Sequence, residues 1–216
     1  MGVMLSAGGT LRWYRDTFAG EEKERADRRG VDVYDIISEQ VSEVEPGCEG
    51  LICLPYLTGE RTPYPDPDAR GVFFGITLRH DKRHFARAVY EGVAYGLRDS
   101  FEILEEMRVP IHQVRASGGG ARSAVWRQIQ ADITGREHVL INVDEGPAFG
   151  VALLAGVGTG IYASVEEACR STITVTSQTH PDMSNKSLYD RYYQVYRALY
   201  PALKDQFKRV SDIVIA

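Results

Sequence analysis

Apolar and polar positions change rhythm along this chain, and the changes mark its elements. Behind a short apolar start at Met1–Leu5, which reads as a strand, Leu11, Tyr14 and Phe18 recur at helical spacing within Ser6 to Phe18. The run from Glu21 to Arg29 mixes both charges and reads as a solvated helix or loop. Val33, Ile36, Ile37, Val41 and Val44 lie near one face of a helix from Val31 to Val44, which Pro46 and Gly47 end. Leu51–Leu57, compact and apolar between Gly50 and Gly59, reads as a buried strand, and Gly71–Thr77 as another. Between them Thr58–Arg70 is a polar loop with Pro63, Pro65 and Pro67. Loops that long and charged are more often functional or interfacial than idle.

The longest helical signal runs from about Asp81 to Met107, with Phe85, Val89, Gly96, Ser100, Ile103, Leu104 and Met107 on its buried stripe. Gly92 and Gly96 weaken that helix relative to Ala, so each marks either close backbone packing or a hinge. Strand Gln113–Ser117, helix Ser123–Thr134, strand His138–Val143 and helix Ala148–Gly156 then alternate, which predicts an α/β fold with a largely parallel section. Gly156, Gly158 and Gly160 end the last of these helices. From Ser187 to Val210 a helix carries Tyr189, Tyr192, Tyr193, Tyr196, Leu199, Leu203 and Phe207, a stripe read as packing. His138, at a strand start without metal-ligand partners nearby in sequence, is read as structural. The chain shows no internal repeat and no low-complexity linker.

Composition narrows the function without naming it. The 216 residues are 44% hydrophobic and 25% charged, the profile of an ordinary globular protein. With 25 Lys and Arg against 30 Asp and Glu, the net charge of −5 speaks against nucleic acid as a partner. Three cysteines, Cys48, Cys53 and Cys169, offer no Cys-x-x-Cys pair and no complete disulfide set, which fits a reducing, cytoplasmic setting without a zinc site. No apolar run reaches membrane-spanning length, and no basic region precedes the apolar start as a signal peptide requires.

The densest local signal is Ser117-Gly118-Gly119-Gly120-Ala121-Arg122-Ser123, set between a predicted strand and a predicted helix. Glycines there let a ligand approach the backbone, and free amides at a helix start suit an anion or a polar heterocycle. The string matches neither the P-loop nor the Gly-x-Gly-x-x-Gly dinucleotide fingerprint, which leaves a hydride-transferring enzyme poorly supported. On its own it serves a tight structural turn as well as a nucleotide site.

Its neighbours decide more. Gly71-Val72-Phe73-Phe74-Gly75-Ile76, followed by His84-Phe85-Ala86-Arg87-Ala88-Val89-Tyr90-Glu91, resembles the C-terminal signature of the FGGY carbohydrate kinases. Thr58-Gly59-Glu60-Arg61-Thr62-Pro63, continuing from Asp66 to Gly71, looks like the loop of the xylulokinase branch of that family. Ala116 to Asp132, with Trp126-Arg127-Gln128 and Ala131-Asp132, is similar to the family's adenosine motif, and Glu145 to Ala152 to its following helix start. These segments occur in family order.

The resemblance implies an actin-like (ribonuclease H-like) α/β fold with the hexokinase architecture, in which residues 1–216 are the C-terminal nucleotide-binding domain. The start of that domain and the N-terminal sugar-binding domain are expected to be missing. By resemblance Gly118, Gly119 and Gly120 lie against ATP or ADP, and Ser123 stands where some relatives use Asn to reach the purine. Glu60 and Arg61 are cleft candidates, with either a substrate-side role or a loop-bracing salt bridge. Glu91 is read as structural or interdomain. No carboxylate matches the family's catalytic Asp, neither Asp132 nor Asp144 is promoted to that role, and Mg2+ ligands are expected in the missing half. The activity implied is transfer of the ATP γ-phosphate to a sugar hydroxyl, D-xylulose first, by a longer protein, the fragment itself being inactive. The competing readings are a non-catalytic nucleotide-binding or assembly module and a related kinase for another polyol or sugar acid. The face left for the N-terminal domain invites self-association into a homo-oligomer.

Overall fold

Local capping chemistry sets most helix starts in the computed structural model, which describes residues 2–143 and 146–215. Met1, Asp144 and Glu145 therefore lie outside the described residues. Helix α1 (Ala7–Phe18) is followed by α2 (Gly20–Arg29), the charged run, which forms a helix. Helix α3 (Val33–Ser42) starts at Asp32, whose carboxylate accepts from Tyr34 N at 2.9 Å. That cap places the start two residues inside the expected Val31. Helix α4 (Lys82–Glu106) opens on a reciprocal cap: Asp81 accepts from Arg83 N at 2.9 Å, and Asp81 N donates to His84 Nδ1 at 3.2 Å.

Strands are shorter than the pattern predicts. Strand β1 (Ile52–Leu54) pairs antiparallel with β2 (Val72–Phe74), Cys53 opposite Phe73. Pro55 has no N–H to continue the ladder, so β1 stops well before Leu57. In a second sheet β3 (Val114–Arg115) runs parallel to β4 (His138–Ile141), and β5 (Val175–Thr179) pairs antiparallel with β4, in the order β3-β4-β5. The expected largely parallel section is thus a single parallel pair, because the polar segment Val175–Thr179, which shows no apolar alternation, returns along β4. Among the described residues 2–5 the strand expected at the start is also absent. Side chains hold its amides instead: Val3 N donates to Thr62 Oγ1 at 3.0 Å and Leu5 N to Glu60 Oε1 at 3.1 Å.

Helix α4 is the axle of the fold. Helices α1, α3 and α5 (Ala124–Thr134) and strand β1 all pack on it, and every residue from Ala86 to Gly96 is buried. A stripe was expected; enclosure by neighbours on several sides buries the polar flank as well, while Met107 at the far end is exposed. The two glycines answer to close packing. A Cβ on Gly92 would lie 2.4 Å from the Cys53 carbonyl oxygen, and one on Gly96 2.6 Å from Met4 Cε. Helix α6 (Gly146–Gly158) and α7 (Val165–Thr172) connect β4 to β5 and pack on each other. The last helix, α8 (Met183–Ile215), exceeds the expected span at both ends and contains Pro201.

The tyrosine stripe of α8 packs as expected and also carries hydrogen bonds. Tyr196 OH lies 3.1 Å from Tyr56 OH, and Tyr193 OH donates to Asp99 Oδ1 at 2.6 Å. Burial pushes the Asp99 carboxyl up to about 6, against the opposing pull of the Tyr193 hydrogen bond. A carboxyl raised above its unfolded value favours folding most when protonated. Its contribution is full below about pH 4 and is lost as pH climbs through about 6. Asp99→Asn is expected to remove this loss. Between pH 5 and pH 8, urea unfolding should show the parent losing about 1 kcal/mol relative to the variant.

Candidate functional site

The glycine-rich turn sits between β3 and α5, as the sequence predicts. Gly118 takes φ 80°, ψ −178°, a backbone conformation that favours glycine, and Gly119–Arg122 forms a single 3-10 turn. Ser123 caps α5, its hydroxyl accepting from Trp126 N at 3.2 Å. The two glycines beyond Gly118 serve different purposes. A Cβ on Gly120 would strike the Trp126 ring at 2.0 Å, whereas one on Gly119 would meet nothing within 4 Å. Gly120 is glycine for the fold, and Gly119 leaves open space.

That space belongs to a cavity of about 580 Å³ lined by Gly119, Gly120, Ser123, Tyr90 and Trp126 on one side and by residues of α1 and α3 on the other. Its volume falls in the range of small-molecule and cofactor sites. Trp126 Nε1 donates to the Tyr90 carbonyl at 3.3 Å, and the two rings are 5.4 Å apart, so the aromatic wall is braced. A chain of hydroxyls supports it from behind: Ser38 Oγ lies 3.0 Å from Ser123 Oγ and 3.2 Å from Tyr90 OH. Burial pushes the Tyr90 phenol up to about 12, which keeps it protonated. Arg12, Asp32, Asp35 and Arg122 add charge to the lining. Flat aromatic walls beside open backbone suit a planar heterocycle, and a capped helix start with nearby guanidinium groups suits its phosphates.

Of the residues singled out from sequence, Gly119, Gly120 and Ser123 meet at this cavity, and Gly118 shapes the turn that leads to them. The Ser123 hydroxyl is already engaged by the helix cap and by Ser38. Glu60 and Arg61 lie away from the cavity lining. Glu60 is buried, and its Oε1 accepts from Leu5 N at 3.1 Å and Arg61 N at 2.7 Å. Burial raises its pKa. The loop is therefore braced by a carboxylate on backbone amides; Arg61 is exposed and, among the described residues, forms no salt bridge with it.

Glu91 lies in the core of the domain, where it accepts from Arg87, Tyr189 and Gly47 N. Asp132 is a brace, accepting from Gln128 Nε2, Asp182 N and Asn185 Nδ2. His138 is buried, with Nδ1 3.0 Å from the Arg136 carbonyl, and burial lowers its pKa. The contributions of Arg12, Tyr34, Asp35 and Ser38 escaped sequence reasoning, since α1 and α3 reach the turn only through folding. Tyr90 and Trp126 stood within quoted motifs, and their aromatic character beside a glycine-rich turn was the available signal. Among the described residues no group of three or more His, Cys, Asp or Glu side chains converges as a metal site requires, and no helix is long and apolar enough to cross a membrane.

Comparison with known proteins gives this geometry a family. Residues 1–159 match the model of the FGGY family of carbohydrate kinases, C-terminal domain. A xylulose kinase of Staphylococcus epidermidis is 38% identical over 204 residues, 94% of this chain and 39% of that protein. A gluconokinase of Bacillus subtilis is 38% identical over 212 residues, 98% of this chain and 41% of that protein. Among solved structures, the xylulose kinase of Rhodospirillum rubrum superposes with a TM-score of 0.82 at 32% identity, covering 96% of this chain and 40% of that one. The chain spans about two fifths of the length of the curated relatives it matches.

Proposed function

We propose a function from one shown premise: this chain belongs to the FGGY family of carbohydrate kinases, as an actin-like α/β C-terminal domain. The chain forms the ATP side of a kinase that transfers the γ-phosphate to a sugar hydroxyl, with D-xylulose as acceptor and xylulose 5-phosphate as product. The observation that carries the reading is the cavity at Gly119, which combines open backbone, an aromatic wall and a capped helix start.

In this role Tyr90 and Trp126 wall the base, Gly119 lets it approach the backbone, and Ser38 and Ser123 hold the wall in register. Phosphoryl transfer is mostly positioning and charge stabilisation, so a domain that fixes the nucleotide does a large part of the work. Mg2+ bound to ATP would neutralise charge on the phosphates. The described residues offer it no ligand cluster, so no step is assigned to this chain through the metal. The base or orienting carboxylate for the sugar hydroxyl belongs to the part of a family kinase beyond the matched segment. Three free thiols fit a reducing, cytoplasmic setting.

A second acceptor, a sugar acid, is favoured by the gluconokinase likeness, which equals the xylulose kinase likeness in identity. The test is ATP-dependent phosphorylation by a two-domain protein carrying this chain as its C-terminal part. D-xylulose is expected to be turned over faster than D-gluconate. The reverse order would transfer the reading to the sugar acid, and turnover of neither would remove both named acceptors and leave another polyol or sugar acid as the substrate.

A further inference from the structure

The first turns of α5 carry Trp126-Arg127-Gln128, and each side chain goes a different way. Trp126 walls the cavity. Gln128 Nε2 donates to Asp132 Oδ1 at 2.7 Å and to the His180 carbonyl at 2.9 Å, which ties α5 to the segment ahead of α8. Arg127 reaches backward. Side chains on a helix lean toward its N-terminus, and one turn beyond the Ser123 cap that lean carries the guanidinium over the helix start. There Nη1 donates to the Ala121 carbonyl and, at 3.1 Å, to the Arg122 carbonyl. Nε is buried and, among the described residues, has no hydrogen-bond partner. An N–H left in that state costs folding free energy, so stability alone is a poor account of this side chain.

The two carbonyls that Arg127 holds end the glycine-rich turn. The turn itself is secured by the bond from Ala121 N to the Gly118 carbonyl at 3.0 Å and by Gly120 lying against the Trp126 ring. At Gly118 and Gly119 a Cβ would meet nothing within 4 Å, so that part of the turn lies open. Arg127 therefore decides how the last peptides of the turn face. A trans peptide sets its carbonyl and the following N–H on opposite sides. With the Arg122 carbonyl turned to Arg127, the Ser123 N–H points the other way. Arg122 and Ser123 line the cavity, and Arg127 does not. An N–H at a helix start attracts phosphates and acceptor nitrogens, whereas a carbonyl in its place would repel a phosphate.

We propose that Arg127 is a positioning residue for the nucleotide: by holding the Ala121 and Arg122 carbonyls off the cavity, it presents the Ser123 N–H to the acceptor atoms of a bound ADP or ATP. The proposal rests on the nucleotide reading of the cavity and adds to it a residue that acts only through the peptide it holds.

One nitrogen serves both carbonyls, so the ammonium of a lysine can stand in for it, while methionine keeps the apolar stem and brings no donor. The test is calorimetric titration of ADP into the parent chain, Arg127→Met and Arg127→Lys, with thermal midpoints and amide spectra of each. Arg127→Met is expected to lose about tenfold in ADP affinity, and Arg127→Lys to stay within about threefold of the parent. The midpoint of the free chain should hold in both variants. ADP should shift the Ser123 amide signal in the parent and in Arg127→Lys but not in Arg127→Met. An Arg127→Met chain that binds ADP as the parent does overturns the proposal and leaves the nucleotide site standing. Affinity and midpoint that fall together, with no recovery in Arg127→Lys, also overturn it, since Arg127 would then serve the fold alone. A parent that binds no ADP removes the nucleotide reading, and this proposal with it.

Discussion

Arg87→Ala is expected to destabilise this domain by about 3–5 kcal/mol, the cost of leaving a buried charge without its partner. Arg87 Nε donates to Glu91 Oε1 at 2.7 Å within α4, and both side chains are buried. The guanidinium also closes the end of α3, donating to the carbonyls of Val41 at 3.0 Å and Val44 at 2.6 Å. Its remaining nitrogen donates to Tyr189 OH at 2.9 Å, and that hydroxyl passes its own proton toward Glu91 Oε1 at 2.8 Å. Gly47 N adds a further hydrogen bond to the same carboxylate oxygen at 3.0 Å. One ion pair thus ties α3, α4, the turn at Gly47 and α8. Removing Arg87 strands Glu91 and frees two carbonyls in the core. The pair itself is a weaker source of net stability than its geometry implies, because both groups are desolvated. Replacing both, as Arg87→Met with Glu91→Leu, should therefore recover the part of the loss due to the stranded charge, while the carbonyls of Val41 and Val44 stay unpaired. Urea unfolding of the two variants checks this; a loss below about 1 kcal/mol for Arg87→Ala would show that Glu91 finds water or another donor.

Much of this fold is legible in the chain itself, and the illegible parts have physical reasons. The run from Asp81 to Met107 reads as a helix because of its apolar spacing, and it appears as Lys82–Glu106, opened by the Asp81 cap. The tyrosines of α8 read as packing because they recur at helical spacing, and Tyr189, Tyr193 and Tyr196 are buried with Tyr192 half-buried. Strand β5 was invisible because Val175–Thr179 is largely exposed and polar, its place fixed by pairing with β4. The start of the chain read as a strand from apolarity alone, which cannot show that Thr62 and Glu60 take its amides. At the site, the glycine-rich turn was legible as a turn that could serve a ligand. The opposite wall was not, since Ser38 meets Ser123 across 85 positions of sequence.

Gly119→Val separates binding from folding more cleanly than any other change at the turn. The new side chain meets no protein atom near its Cβ and points into the space that the proposed nucleotide takes up. Thermal stability should match the parent, and ADP affinity should fall at least about thirtyfold, equivalent to about 2 kcal/mol of lost binding. Gly120→Val is the contrasting control. Its Cβ would collide with the Trp126 ring, so it should lower the thermal midpoint as well as affinity.

Calorimetric titration of ADP into the parent chain and into Gly119→Val tests the central claim most directly. The account predicts saturable one-to-one binding by the parent, no measurable binding by the variant, and the same thermal midpoint for both. Binding that the variant retains would place the nucleotide elsewhere, and a parent that binds no ADP would contradict the assignment of this cavity to a nucleotide.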